Sequence, residues 1–430
     1  MSRRPLTFFK GSALVAAAIA TVASLYSPPC SYGGIEHDAT FQMADSLWIE
    51  DLDYLTRELP ARHKNLFFSL PEEDFYRMVD DLRSTIPTLT DYEIVVGIME
   101  ILAEVGDPHT VAGITHTNFF SRLPLVMEWY ADGLFVVETS PEEASVLGRR
   151  VRSMGGHPVE EVHRQISRVI PGRNQALLKQ RGPQYMVFPE IMAALGIIEN
   201  PHTLVFDFDS LGEYPVRAIP FSEKTRRITV LDTLKCGLPL YLKHPDQYYW
   251  FTYVDRSSLL YIQYDSCTEM KHKPFAQFTE EVLAAIDSLP VEKLVFDMRS
   301  NGGGNSSLAG PLISAIKARP EVNRKGRLFI IIGRETFSSA ILNTLEFMEG
   351  GSAILVGEPT GGKPNGYGEV RFFILPHSMI PIQYSTKYFR LCPGDPPTVS
   401  PDIEIDVSFE DLVSCRDPAL EAILKYEAAP

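Results

Sequence analysis

Three separated segments of the chain carry residue types suited to acyl transfer. Gly333-Arg334-Glu335-Thr336-Phe337-Ser338-Ser339-Ala340 places hydroxyls where a turn becomes a helix. A Gly-rich loop, Asn301-Gly302-Gly303-Gly304, precedes it, and Gly357-Glu358-Pro359-Thr360-Gly361-Gly362-Lys363 follows it. A serine hydroxyl attacks a carbonyl when a base takes its proton and preorganised donors meet the developing oxyanion. Ser338 is the candidate nucleophile. The N–H of Ser339 lies at the positive end of the following helix, and Gly303 can bring a second N–H close because no side chain blocks approach. Two residues compete as base. Lys363 serves if burial drives its pKa toward neutrality, whereas His109, in Gly106-Asp107-Pro108-His109-Thr110, needs no such shift. Each residue also has an ordinary use: a Thr-x-Ser-Ser run caps a helix, a loop lysine is solvated, and a turn histidine bonds to backbone. Their grouping is what points to chemistry.

Two rival readings fail on single positions. Gly357, Gly362 and Lys363 satisfy the spacing of a phosphate loop, but Pro364 stands where Ser or Thr should hold magnesium. No Gly-x-Ser-x-Gly elbow of an α/β-hydrolase occurs either. No Cys-x-x-Cys or His-Glu-x-x-His pattern appears and the ten histidines are scattered, so we expect neither metal nor cofactor.

The elements that must position these residues follow from periodicity. Residues 40–120 read as a helical unit, with Leu47, Ile49, Leu52, Leu55 and Leu59 at near-helical spacing and capping boxes at Ser69 to Glu72 and Thr90 to Glu93. The last helix stops at Gly106 and Pro108, leaving His109 on a loop. Residues 121–222 carry short strand-like runs (133–137, 204–206) around an amphipathic stretch at 159–169, a small β/α module of PDZ-like order. Residues 221–247 read as a linker or peripheral strands. From 248 to 426, strands at 258–262, 293–296, 327–332 and 353–356 alternate with helices at 275–289, 308–318 and 338–348. That order predicts an α/β fold with a largely parallel sheet, whose strand carboxyl ends carry the three chemical loops.

At 430 residues the chain exceeds one ordinary core, and 45% hydrophobic with 22% charged residues is average for a folded protein. A net charge of −15, from 40 basic and 55 acidic residues, argues against nucleic acid or an anionic membrane surface as main partner. Arg3, Arg4 and Lys10 precede an apolar run at 13–26, so residues 1–30 read as an export signal, with a weak twin-arginine flavour in Ser2-Arg3-Arg4. The expected location is secreted or periplasmic. Cys30 invites a lipid anchor, but Pro28 and Pro29 stand where small residues belong, which favours secretion without one. Export would place Cys236, Cys267, Cys392 and Cys415 where pairing is permitted, with no pairing assignable.

The loop 297–304, Thr336-Phe337-Ser338, residues 357–363, Ser400-Pro401-Asp402-Ile403 and the His109 motif together resemble the carboxyl-terminal processing (tail-specific) serine proteases, with tricorn-core-like features. The resemblance implies a crotonase-like catalytic core over 248–426 and a PDZ-like module before it. It implies Ser338 as nucleophile, Gly303 and Ser339 as oxyanion donors, Lys363 as base in the processing proteases, and His109 as base in the tricorn branch. It implies a protein or peptide substrate, with chain carboxyl termini or unfolded segments as the tendency of the family. This chain reads Glu335-Thr336-Phe337-Ser338-Ser339-Ala340 where the processing proteases read Ser-Ala-Ser-Ala-Ser-Glu, which leaves Ser339 as the alternative nucleophile. Glu349 lies near the supporting acid of the family. A non-catalytic relative that binds peptides or apolar ligands is the alternative function.

Overall fold

The computed structural model describes residues 42–114 and 119–427, so the 13–26 run and Cys30 lie outside the described residues. The helical unit holds α1 (Asp45–Arg62), α2 (Glu72–Thr85) and α3 (Asp91–Val105). Helix α1 buries Trp48, Leu52, Leu55 and Leu59, one stripe at helical spacing. The box at Thr90 forms, with the Glu93 carboxylate accepting from the Thr90 N–H at 2.7 Å. The expected box at Ser69 does not form. Helix α2 starts behind Pro71, and the Ser69 hydroxyl donates instead to the Val105 carbonyl at the carboxyl end of α3. Gly106 then caps α3 in the left-handed region, with φ +80°, and turns the chain into the loop that carries His109.

After β1 (Val111–Ala112) come β2 (Leu125–Tyr130), β3 (Gly133–Thr139) and β4 (Arg150–Met154), then helices α4 (Val159–Ile166), α5 (Gln175–Tyr185) and α6 (Pro189–Ala194), and β5 (Thr203–Phe208) and β6 (Gly212–Arg217). These strands form an antiparallel sheet in the order β3-β4-β5-β6, with β2 on β3. Helix α4 buries Val159, Val162 and Ile166 on its apolar stripe. Apolar side chains from Met43 to Val216 make one cluster spanning the helical unit and this module. The segment after it contributes the short strand Ile228–Thr229 to the β3 edge and the disulfide Cys236–Cys415, which staples it to the carboxyl-terminal region.

The remaining chain builds β7 (Tyr249–Val254), β8 (Leu259–Tyr264), α7 (Phe275–Ser288), β9 (Lys293–Asp297), α8 (Gly310–Lys317), β10 (Leu328–Ile332), α9 (Ser339–Met348) and β11 (Ile354–Gly357). A hairpin follows, β12 (Gly366–Ile374) and β13 (Pro381–Phe389), then β14 (Ile403–Glu404), α10 (Phe409–Val413) and α11 (Pro418–Lys425). The sheet runs β7-β8-β9-β10-β11-β14, antiparallel at β7 to β8 and parallel thereafter. Strand β10 is Leu-Phe-Ile-Ile-Ile, buried on both faces as a parallel strand should be. Helices α7, α8 and α9 cover one face, and Ala419 and Ile423 of α11 cover the other.

The hairpin links the two halves. Strand β13 pairs with β1 through Val111 to Gln383 and Ala112 to Ile382, while Phe373, Ile380, Ile382 and Tyr384 join the amino-terminal core. The loop bearing His109 is therefore held by a strand from the far end of the chain.

Candidate active site

Ser338 sits between β10 and α9 with φ +51° and ψ −122°, a conformation that costs a non-glycine residue about 1–3 kcal/mol. Surrounding loops over-determine it. Thr336, fully buried, donates its hydroxyl to the Met298 carbonyl at 2.8 Å and accepts from the Gly333 N–H at 3.0 Å. The Phe337 N–H donates to the Asn301 carbonyl at 3.0 Å, and the Gly362 N–H donates to the Thr336 carbonyl at 3.1 Å. All three loops at the carboxyl ends of the strands thus fix one turn. A Cβ on Gly303 would lie 2.8 Å from Ser338 Cβ and 3.0 Å from the Ser339 nitrogen, so glycine there is a packing requirement.

His109 Nε2 lies 3.2 Å from Ser338 Oγ. Its ring rests on Phe337, with centroids 4.8 Å apart, and its backbone is tied down by Gln383, whose amide donates to the His109 carbonyl at 2.8 Å. Arg181 of α5 donates to the Pro108 carbonyl at 2.9 Å and lies over the Phe337 ring. A proton on Nδ1 faces the Asp107 carboxylate and leaves the Nε2 lone pair for the Ser338 hydroxyl.

Asp107 is fully buried. Its Oδ2 accepts from His63 Nε2 at 3.1 Å, from the Thr110 hydroxyl at 2.7 Å and from the Ser385 hydroxyl at 2.6 Å. Its Oδ1 accepts the His109 N–H at 3.1 Å and stands 3.7 Å from His109 Nδ1. Burial alone would raise this carboxyl, but His109, His63 and Ser385 outweigh it and hold the group well below the usual carboxylate range. His63 Nδ1 accepts the Asn65 N–H at 3.1 Å, which leaves the proton on Nε2, facing Asp107. Sequence reasoning assigned no role to Asp107, His63 or Ser385; only the motif position two residues before His109 marked the aspartate.

The structure separates the other candidates. Lys363 Nζ pairs with Asp395 at 2.7 Å, half-exposed at the rim, and makes no hydrogen bond to Ser338. The Ser339 hydroxyl donates to the Gly304 carbonyl at 2.5 Å, whereas its N–H is the first amide of α9 and belongs to the unpaired donors of a helix start. The Gly303 N–H donates to Asn301 Oδ1 at 2.9 Å, so this donor is engaged in the present state. Glu349 is exposed, paired with Lys317 and absent from the cleft lining. Among the described residues no three His, Cys, Asp or Glu side chains converge as a metal site, and no helix is long and apolar enough to cross a membrane.

Ser338 opens into a cleft of about 970 Å³ whose walls include His109, Arg181, Gly303, Glu335 and Tyr367. Burial pushes the Glu335 carboxyl up to about 8, with Glu128, Asp265 and Glu358 adding to the shift and Arg334 opposing it.

No protein-family model matches the sequence, and no curated protein matches it. Solved structures do. The chain is similar to mature CPAF complexed with lactacystin, with a TM-score of 0.60 and 12% identity over 88% of this chain and 97% of that one. Mature CPAF alone gives a TM-score of 0.60 and 11% identity over 89% and 97%. A tricorn protease structure aligns at a TM-score of 0.46 and 14% identity over 88% of this chain and 36% of that one. The chain has the CPAF fold nearly end to end.

Proposed function

We propose that the protein is a serine peptidase that cleaves peptide bonds through an acyl-enzyme. The observation that carries this reading is the 3.2 Å approach of His109 Nε2 to the hydroxyl of Ser338, a residue held in a strained turn at a helix start. His109 takes the Ser338 proton as the oxygen attacks the carbonyl carbon. It then returns that proton to the leaving amine. Asp107, ionised and immobilised by its donors, orients the imidazole and stabilises its cationic form. The Ser339 N–H meets the oxyanion. The Gly303 N–H joins it once the oxyanion replaces Asn301 Oδ1 as its acceptor. Lys363 has no part in proton transfer on this reading.

Substrates are chain carboxyl termini or unfolded segments, and the module at 121–222 is a PDZ-like accessory to a crotonase-like core at 248–426. The enzyme is exported, in keeping with the apolar run at 13–26 and the disulfide Cys236–Cys415. The test is fluorophosphonate labelling of the purified chain with peptide mapping, lactacystin being the competitor suggested by the CPAF complex. A single adduct on Ser338, blocked by lactacystin, is the expected result. No adduct on a folded chain would instead support a peptide-binding module.

A further inference from the structure

Glu335 lines the cleft three residues before Ser338, and the acyl-transfer chemistry does not use it. The charges of Glu128, Asp265 and Glu358 disfavour its ionisation, and that of Arg334 favours it. That arginine is already engaged, by Glu358 at 3.3 Å and by the Trp129 carbonyl. The other cations of the cleft are engaged too. Lys363 pairs with Asp395, Lys387 lies over the Phe389 ring, and Arg181 is held by Pro108 and Phe337. Glu128 has the Tyr130 hydroxyl at 3.0 Å and Asp265 has the Gln263 amide, whereas the Glu335 side chain has no hydrogen bond or ion pair among the described residues. A carboxyl in such a place stays neutral or waits for a positive charge from outside the fold.

Resting on the peptidase reading above, we propose that Glu335 is the specificity-determining residue of the cleft and receives the ammonium or guanidinium of a basic side chain on the substrate. A cation reaching it displaces the carboxyl proton and forms a charge-assisted pair on the cleft wall. Recognition of a basic residue is therefore coupled to proton release, and a neutral isostere has no such coupling. The ordinary value near 4.3 and the cleft value of about 8 define the window: below about 8 the proton competes with the substrate cation, and above it the carboxylate is ready.

The experiment uses the full chain and fluorescence-quenched peptides in which arginine is exchanged for citrulline, or lysine for norleucine, at each position around the cleaved bond. At one position the arginine peptide should exceed its citrulline partner at least tenfold in kcat/KM at pH 8.5. That ratio should fall by about eightfold at pH 7, the change in the ionised fraction of a group titrating near 8. Glu335→Gln should bring the ratio close to one and Glu335→Asp should keep it. Should the glutamine variant not fold, the pH dependence of the wild-type ratio decides. Equal turnover of both partners at every position, or a ratio that survives Glu335→Gln, overturns the proposal.

Binding of the same pairs to Ser338→Ala by fluorescence anisotropy separates this inference from the peptidase reading. A preference in binding with no cleavage by the wild type leaves the basic subsite standing and removes the peptidase. Cleavage without preference does the reverse.

Discussion

Asp107 meets the imidazole of His109 through one carboxylate oxygen only: Oδ1 lies 3.7 Å from Nδ1, while Oδ2 is taken by His63, Thr110 and Ser385. The carboxylate cannot swing toward the ring without disturbing its bonds to His63, Thr110 and Ser385. Closing the gap falls to the histidine, whose Nδ1 has no hydrogen-bond partner among the described residues. A small rotation of the ring on Phe337 would bring Nδ1 to Asp107 as Nε2 takes up its proton.

Ser338→Ala should abolish both turnover and fluorophosphonate labelling. Ser339→Ala removes only the hydroxyl bond to Gly304, a loss of about 1 kcal/mol in stability, and keeps the backbone N–H, so kcat should fall by less than about tenfold. Intact-mass labelling and peptide kinetics on the two variants decide between the serines.

His109→Ala should lower kcat by about 10²–10⁴-fold, the usual loss of a general base. Lys363→Met breaks a half-exposed ion pair with Asp395 and should change kcat by less than about threefold, with a stability change of about 0–1 kcal/mol. A large effect of Lys363→Met with a small effect of His109→Ala would reverse the assignment of the base.

Asp107→Asn keeps the volume and removes the charge, but turns an amide N–H toward donors. We expect kcat to fall by about 10²–10⁴-fold and the fold to lose about 2–4 kcal/mol. The depressed carboxyl contributes stability that is present above the ordinary value near 4 and lost as pH falls through its folded value. The melting-temperature gap between wild type and Asp107→Asn should therefore be widest at neutral pH and narrow on acidification.

Glu335 has the opposite sign. Its folded value of about 8 stands above the ordinary 4.3, so its contribution is full below pH 4.3 and is lost as pH rises through 8. Melting curves should show wild type losing stability relative to Glu335→Gln across that interval. A gap that stays constant with pH would show that Glu335 is not perturbed.

Gly303→Ala adds a methyl at φ +108° and 2.8 Å from Ser338 Cβ. Labelling of Ser338 should slow by at least about tenfold, given the overpacking of 1–3 kcal/mol such insertions bring. Comparing labelling rate with melting temperature distinguishes damage at the turn from general unfolding.

Much of this architecture was legible because the carboxyl-terminal strands and helices alternate with clear periods, so that the loops at 301–304, 333–339 and 357–363 had to fall at the same edge of a parallel sheet. Gly106 and Pro108 likewise marked where a helix stops. What escaped were relations between distant positions. Ser69 has the pattern of a cap but spends its hydroxyl on Val105, 36 residues away. Lys363 stands at the spacing of a base, yet Asp395 neutralises it from a loop that no local pattern connects to it. His63 carries no local signal, because its contact with Asp107 exists only after the end of α1 has packed against the loop that follows α3. The pairing of Cys236 with Cys415 spans 179 residues and was equally out of reach. Strain at Ser338 had no signature, since the positive φ falls on a serine rather than a glycine.

His109 and Ser338 are separated by 229 residues, and the strand that anchors the histidine loop is made later than either of them. A chain still being synthesised carries the imidazole and the carboxylate on one loop and eventually the hydroxyl on another, and the histidine loop lacks its strand partner until β13 docks beside β1. Assembly of the site thus waits for β13, which begins at Pro381 of 430 residues, and a chain that stops short of it lacks the strand that holds the histidine loop.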